Sequence, residues 1–353
     1  MKDKRVYLDI HVIQTLPPSN VNRDDTGSPK TAVYGGVRRA RVSSQSWKRA
    51  MRQYFLEECA EDLGIRSLYG VRYVAEKIVE VDSSITEENA MKMAEKVFND
   101  AGIKTKDQKT KALFFLGKKQ ANQLAVAAVK GKTDKKVLQQ IFSDNPAVDI
   151  ALFGRMLADE HSLDEDASAQ VAHAISTHEV QTEFDYYTAV DELKPEDSAG
   201  AGMIGTIEYN SSTLYRYANI ALHDLVKQLR SKKQAIAASK LFIQAFANSM
   251  PSGKSNTFAN QTLPTMIMIN IRADRPVNLV TAYEKPVKSY MGNVELSIKR
   301  LFEEVTKAEK YVQKPLKTLY VVEEGIVKPE WGIEEDNIFS LIDDFAKTAE
   351  EIL

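Results

Sequence analysis

Val6, Leu8, Ile10 and Val12 occupy every second position of residues 5–14, the period of a strand with one buried face, and Pro17 and Pro18 are expected to end it. Residues 19–36 lose that period. Asp24-Asp25-Thr26-Gly27 and Gly35-Gly36 mark them as a long loop, and a loop of this length in a compact domain is usually functional or mobile. The apolar positions then switch to helical spacing at Trp47, Ala50, Met51, Tyr54 and Phe55, behind Ser43 and Ser44, either of which can cap a helix. Gly64 is the expected stop.

From about 60 to 180 the pattern is mostly helical: Thr86 caps 87–100, 118–130 is alanine-rich, Thr133 caps 134–143, and 166–177 reads as a helix of small residues. Within this stretch only 147–157 has the look of a strand. Strand periods return at 181–190 and 204–222, separated by Asp197-Ser198-Ala199-Gly200-Ala201-Gly202, which predicts an extended hairpin with a flexible tip. A helix at 232–249 is broken by Pro251 and Gly253. A strand at 265–272, a helix at 287–310 and a strand at 318–322 complete the order, which suits α+β better than alternating α/β. No period of 20 to 50 residues repeats.

A chain of 353 residues leaves room for one large domain with insertions or for two domains, and 43% hydrophobic with 27% charged residues is an ordinary globular composition. Net charge is −2 from 47 basic and 49 acidic residues, so a nucleic-acid partner has to be held by local charge. The single cysteine, Cys59, excludes an internal disulfide and cysteine-rich metal sites and points to a reducing compartment. Asp9 and His11 interrupt what would be an apolar signal core, and no apolar run approaches the roughly 18 residues of a membrane span. A cytoplasmic protein with no membrane partner is expected.

Local charge is where the chain departs from its average. Residues 26–56 contain no acid, while Lys30, Arg38, Arg39, Arg41, Lys48, Arg49 and Arg52 supply seven cations. Ser43, Ser44, Gln45 and Ser46 stand among them at a helix N-terminus, where free N–H groups and the dipole favour an anion. Lys48 and Arg52 share a helical face opposite the apolar stripe, an arrangement suited to phosphates but not to reading bases. The alternative is a solvated cationic face whose acids come from elsewhere in the fold.

Phe184, Tyr186 and Tyr187 on one side of the predicted hairpin, and Tyr209, Tyr215 and Tyr217 on the other, could stack on unpaired bases, although such aromatics are more often cross-strand core pairs. Signals for an enzyme are poor. Gly253-Lys254-Ser255 ends like a P-loop, which would need glycine where Asn248 stands. His173 and His178 are five apart, and neither Cys nor Glu completes a metal set, so neither metal nor cofactor is expected. Asp24 and Asp25 are the one acid pair beside the basic region. They could serve a ribonuclease, but pairing with Arg23 or ordering of the loop is the plainer reading.

Asn22-Arg23-Asp24-Asp25 and the run from Gly35-Gly36-Val37-Arg38 to Ser46-Trp47-Lys48-Arg49-Ala50-Met51-Arg52 resemble the signature of the CasC family, the RAMP-superfamily backbone subunits of the type I-E CRISPR surveillance complex, Cascade. Val148-Asp149-Ile150-Ala151-Leu152-Phe153-Gly154-Arg155-Met156, Ala172-His173-Ala174-Ile175-Ser176-Thr177-His178, Thr188-Ala189-Val190-Asp191 and Tyr215-Arg216-Tyr217-Ala218-Asn219-Ile220 follow in the family's order. The resemblance covers 5–58 and about 147–285. It implies an RRM-like, ferredoxin-like palm (1–58 and 223–323), helical fingers (59–180) and a β-hairpin thumb (181–222); composition alone marks 324–353 as an acidic C-terminal segment. That segment carries ten acids against Lys328 and Lys347 from Glu323 onward and reads either as a solvated tail or as a surface for another copy.

For function, the resemblance implies a non-enzymatic protein stacking head to tail with other copies of itself along the crRNA, beside other Cascade subunits, and presenting the guide to target DNA in antiviral defence. Arg23, Lys30, Arg38, Arg41, Ser43, Gln45, Lys48, Arg49 and Arg52 would hold the guide backbone, and Met156, Tyr186 and Tyr187 would lie at a kinked nucleotide. Lys135 and Lys136 would open the finger helix that meets DNA. The alternative is a related backbone protein that cuts target RNA with Asp24 or Asp25.

Overall fold

The computed structural model describes residues 5–59, 63–132, 134–157, 160–189, 192 and 203–353. At its centre is strand β1 (Tyr7–Ser19), paired antiparallel on both edges. It meets β11 (Met203–Ala221) from Tyr7 opposite Ala221 to Ser19 opposite Asn210, and β12 (Met266–Arg272) from Tyr7 opposite Arg272 to Ile13 opposite Met266. The prolines do not end β1. The ladder shifts register between Leu16 and Ser19, and a bulge is where a residue without an N–H is tolerated.

The expectation of one buried face is also corrected, because β1 is covered on both sides. Leu8, Ile10 and Val12 pack under Met51 and Phe55 of α1 (Ser44–Cys59), Phe242 and Phe246 of α8 (Lys232–Asn248), and Phe345 of α11 (Ile338–Ile352). Ile13 on the other face joins Tyr215, Tyr217, Tyr283 and the Ile298, Leu301 and Val305 stripe of α10 (Val294–Ala308). Asp9 and His11, the polar positions in this face, are fully buried and hydrogen-bonded. Tyr217 Oη donates to Asp9 at 2.8 Å, Val277 N donates to Asp9 at 2.9 Å, and His11 Nδ1 lies 2.9 Å from Tyr215 Oη. The polar alternation is real, but partners from distant sequence satisfy it in place of water.

The sheet runs β14 (Ile333–Glu334), β13 (Lys317–Val322), β12, β1, β11, β9 (Ala174–Ser176), β3 (Val37–Val42), β2 (Thr31–Tyr34). The 19-residue β11 also takes β10 (Glu183–Ala189) along 203–209 and β8 (Ala169–Val171) along 218–220. β8 and β9 overturn the helix expected at 166–177: its small residues are drawn into strand by ladder partners on β11 that local propensity does not see. The strand expected at 147–157 is instead α6 (Val148–Phe153), closed by Gly154 at φ 79°. The loop expected at 19–36 holds β2, which makes a hairpin with β3 through Gly35 (φ 59°) and Gly36 (φ 78°), the left-handed pair a two-residue turn requires. A Cβ on Gly35 would stand 1.6 Å from the Glu284 carbonyl oxygen.

A second core lies in residues 71–163. Helices α2 (Gly70–Val81), α3 (Glu87–Asp100), α4 (Lys118–Val129) and α5 (Lys135–Ser143) enclose Val74, Ile78, Phe98, Phe114, Leu124 and Phe142. Thr86 caps α3 as expected, and Asp134 caps α5; Thr133 lies outside the described residues. Two ribbons edge this core, β4 (Gly64–Ser67) with β7 (Phe114–Gly117) and β5 (Thr105–Lys106) with β6 (Lys109–Thr110). Short helices α7 (Leu222–Leu229) and α9 (Ser255–Phe258) flank α8.

The C-terminal acidic run is not a solvated tail. Leu341, Ile342, Phe345 and Ala349 bury one stripe of α11 in the main core. Its acids already have partners: Asp343 with Lys240 at 2.9 Å, Asp344 with Lys317 and Lys347 at 3.2 Å, and, ahead of the helix, Glu334 with Lys328 at 2.7 Å. The charge imbalance read along the chain is thus reduced in space.

Candidate nucleic-acid interface

The basic segment folds as the β2–β3 hairpin followed by α1, held to the sheet through Arg216 of β11. The Arg216 guanidinium lies 3.5 Å from the centre of the Trp47 ring and 4.4 Å from that of Phe246, and it donates to Phe246 O and Gln14 Oε1. Burial lowers its pKa to about 9. The N-terminus of α1 is already satisfied. Ser44 N donates to His173 Nδ1 at 2.9 Å, Gln45 N to Ser43 Oγ at 3.3 Å, and Ser46 N and Trp47 N to Ser43 O. The free N–H groups expected there for an anion are therefore spent within the protein, and only the helix dipole and the side chains remain.

The seven cations separate into different duties. Arg39 is fully buried and donates to the carbonyls of Tyr34 (3.1 Å), Ser176 (3.1 Å) and Tyr283 (2.8 Å), tying the hairpin to the sheet. Arg52 donates to Asp149 Oδ2 at 3.0 Å and to Gly64 O at 3.1 Å, with its guanidinium 4.5 Å from the Phe115 ring centre. Lys48 is half-buried over the Phe153 ring, and burial, then nearby Arg66, push its pKa down. The exposed Lys48–Arg52 face expected from helical spacing is accordingly corrected: both side chains lean onto α6 and β7, which spacing within α1 cannot reveal. Arg38 and Arg49 stay exposed, as does Arg23. Lys30 and Arg41 gather at His173, whose pKa is lowered by burial and then by these two charges.

Arg23 and Arg49 both line an open cleft of about 900 Å³ between α1 and residues 248–261. Gln53 and Glu57 of α1 line one wall; Ser249, Lys254 and Gln261 line the other. The second wall was missed in the sequence, where Gly253-Lys254-Ser255 offered only a failed P-loop. Asp24 also lines the cleft, but its carboxylate accepts from Thr26 Oγ1 at 2.7 Å and from the N–H groups of Thr26 and Ser28 at 3.0 Å. These bonds, the threonine hydroxyl first, hold its pKa below the usual carboxylate range and commit it to ordering its own loop.

The aromatic hairpin residues divide as well. Tyr215 and Tyr217 are core residues, and Tyr209 lies 6.1 Å from Phe258 between ring centres. On β10, Phe184 and Tyr186 are 66% and 64% exposed, while Tyr187 is 38% exposed and lies over Gly205, where a Cβ would come within 2.4 Å of its hydroxyl. Met156 is 83% exposed just beyond α6, on a different element from the tyrosines. Lys135 pairs with Glu160 at 2.8 Å and Lys136 is exposed. Val190, Asp191 and the tip at 193–202 lie outside the described residues.

The model of the CT1975-like protein family matches residues 8–344. The chain belongs to the CT1975-like family. Two solved relatives of this CT1975-like protein are similar along nearly their whole length. A chain of a "CRISPR RNA-guided surveillance complex, pre-nicking" is 32% identical with a TM-score of 0.87, covering 97% of this chain and 100% of its own. A chain of a "CRISPR RNA-guided surveillance complex" is 29% identical with a TM-score of 0.77, covering 97% and 99%. No curated protein matches. The resemblance to CasC-type Cascade backbone subunits, read from the blocks at 22–52 and 148–220, is borne out. Among the described residues no helix of this CT1975-like protein is long and apolar enough to cross a membrane, and no cluster of three or more His, Cys, Asp or Glu is placed to hold a metal.

Proposed function

We propose that this CT1975-like protein is a non-enzymatic guide-RNA-binding backbone subunit of Cascade. In this role copies assemble head to tail on the crRNA spacer and, with other subunits, present it to target DNA. The observation that carries the reading is the full-length likeness, at 32% identity, to a chain of an RNA-guided surveillance complex. The strand order β12–β1–β11–β9, antiparallel throughout with α1 and α8 on one face, supports an RRM-like palm at 1–58 and 223–323. The separate core at 71–163 supports fingers at 59–180, and β10 with the outer half of β11 supports a thumb at 181–222.

Guide phosphates are held by Arg23, Lys30, Arg38, Arg41 and Arg49, with Ser43 and Gln45 beside them. Lys48 and Arg52 act mainly by holding α1 against α6 and β7. Met156 and Tyr186 attend a displaced base, and Lys136 faces target DNA. The commitment of Asp24 to its loop favours binding over cleavage of RNA.

Sequencing of nucleic acid copurified with the protein tests the reading: one discrete repeat–spacer RNA is expected, and heterogeneous cellular RNA overturns it. Because a head-to-tail contact that closes no ring can extend indefinitely, native mass measurements should show copy number rising in steps with RNA length. A single stoichiometry at every length removes the filament.

A further inference from the structure

The second core carries a charged surface with no role so far, the β5–β6 ribbon. Lys104, Lys106, Lys109 and Lys111 stand close together there with one acid, Asp107. The ladder pairs Thr105 with Thr110 and Lys106 with Lys109, so the threonines share one face and the four lysines the other. The threonine face is bonded down. Asn99 Nδ2 donates to Thr105 Oγ1 at 2.9 Å, Thr105 Oγ1 to Glu95 at 2.9 Å, and Thr110 N to Leu68 O at 3.0 Å. Asp107 (φ 51°) and Gln108 (φ 60°) close the ribbon in the left-handed pair of a two-residue turn.

All four lysines are exposed, and none has a carboxylate partner among the described residues. Like charges directly opposite on a ladder are destabilising, and here Lys106 faces Lys109 with Lys104 and Lys111 next along the same face. The ribbon thus holds positive charge that the fold does not neutralise. It is a different element from α5, where Lys135 is committed to Glu160 and Gln139 to the Ala101 carbonyl.

Two apolar groups border the lysines. Tyr69 is 51% exposed, with Lys109 Nζ 4.9 Å from its ring centre, and Leu113, just beyond Lys111, is also 51% exposed. Cations beside an exposed aromatic ring suit a strand with unpaired bases, whose phosphates meet the lysines while a base stacks. A duplex keeps its bases inside and would offer Tyr69 no base face.

We infer that the β5–β6 ribbon binds single-stranded DNA, with its lysines on the phosphates and Tyr69 against a base, at a site separate from the β2–β3 hairpin and α1. The inference rests on the guide-presenting role above. When a guide pairs with one strand of a duplex the other strand is displaced, and that unpaired strand is the partner whose chemistry fits. Ammonium groups act as point charges, so the ribbon holds it without regard to sequence.

The test is anisotropy of a labelled oligothymidylate with the full chain already saturated with unlabelled single-stranded RNA. Lys106→Glu combined with Lys109→Glu should weaken DNA binding about tenfold or more and leave RNA binding unchanged. Alanine at the same two positions should lower the log–log salt slope by about 1.4, the increment for two phosphates on a single strand. Tyr69→Ala should weaken DNA binding about fivefold or more, as expected for one lost base–aromatic stack. Lys299→Glu with Lys310→Glu, an equal charge change at exposed positions on and just after α10, should do none of these. In the wild-type chain, photo-crosslinking of thiothymidine-substituted DNA should label Tyr69 or residues 104–113, which covers the case of a variant that fails to fold. If the ribbon variants bind DNA like the control pair and no crosslink falls on these residues, the ribbon inference is overturned and the RNA-binding reading stands. Tighter binding of a DNA duplex than of the single strand also overturns it. If the wild-type chain takes up no RNA, the guide-binding reading falls, and the same variants judge the ribbon on the free chain.

Discussion

The Arg52 guanidinium donates across 3.0 Å to Asp149, a carboxylate 1% exposed, and so ties α1 to the start of α6. Asp149 also accepts from Gly64 N at 2.9 Å, fixing the point where the chain returns from the end of α1. Burial raises the Asp149 pKa, and Arg52 is the largest opposing influence.

Arg52→Ala should therefore behave as a stability variant. Removing one partner leaves a buried charge uncompensated, a loss of about 3–5 kcal/mol. Because Asp149 would then ionise only with difficulty in the folded state, the deficit should shrink as pH falls and the carboxyl takes a proton. Urea titrations at several pH values check this; an unchanged midpoint for Arg52→Ala contradicts it.

Arg39 and Arg49, ten residues apart, should respond in opposite ways. Arg49→Glu is expected to weaken single-stranded RNA binding while leaving the melting temperature within experimental scatter, because Arg49 is exposed. Arg39→Ala removes donors from three carbonyls, two of them at strand ends or turns, and should cost about 2–4 kcal/mol of stability. Equal effects on binding and melting in both variants would refute the division.

Consecutive strand residues face opposite ways, and here Tyr187 lies over Gly205 while Tyr186 is free. Tyr186→Ala should weaken RNA binding by about 1–3 kcal/mol, the range for a base–aromatic stack. Tyr187→Ala should instead raise proteolysis of the hairpin, since an aromatic laid across a strand glycine replaces packing that glycine lacks. Wild-type binding by Tyr186→Ala denies it a stacking role.

Asp9 gives a prediction about pH. Desolvation by burial raises its pKa to about 7 despite the bonds from Val277 and Tyr217. The folded state then holds a proton that the unfolded chain releases near 4, so this contribution is complete below about pH 4 and is lost as pH rises through 7, by at most about 1.4 kcal/mol per unit. His11, lowered to about 3 by burial and then by Arg272, works in the other direction, losing stability as pH falls below the ordinary histidine range. The stability difference between wild type and Asp9→Asn isolates the aspartate: it should decline from pH 4 to 7, and a flat difference is the contrary result.

Asp24→Ala should loosen the 24–28 turn and leave target RNA uncut in the presence of divalent metal, as in the wild type. Regular cleavage by wild type that disappears in Asp24→Ala or Asp25→Ala would make the protein a nuclease.

Along the chain, the period-two run at β1, the helical stripe of α1, Thr86 as a cap, the β10–β11 pair, and the acid-free cations of 26–56 were all legible because each depends on neighbours within a few residues. The CasC-type blocks were legible for another reason: they are specific strings. What tertiary structure decided is which partner each local pattern meets. Small residues at 169–176 became strands because β11 offers a ladder. Asp9 and His11 stayed inside a strand because Tyr215, Tyr217 and Val277 arrive from more than 200 residues away. Arg52 and Arg39 look like Arg49 in sequence, and only the placement of Asp149 and of the distant Ser176 and Tyr283 carbonyls separates structural cations from exposed ones. The wall at 248–261 shows the same limit, since its position against α1 depends on the close approach of Gly253 to Val21, a distance no periodicity encodes.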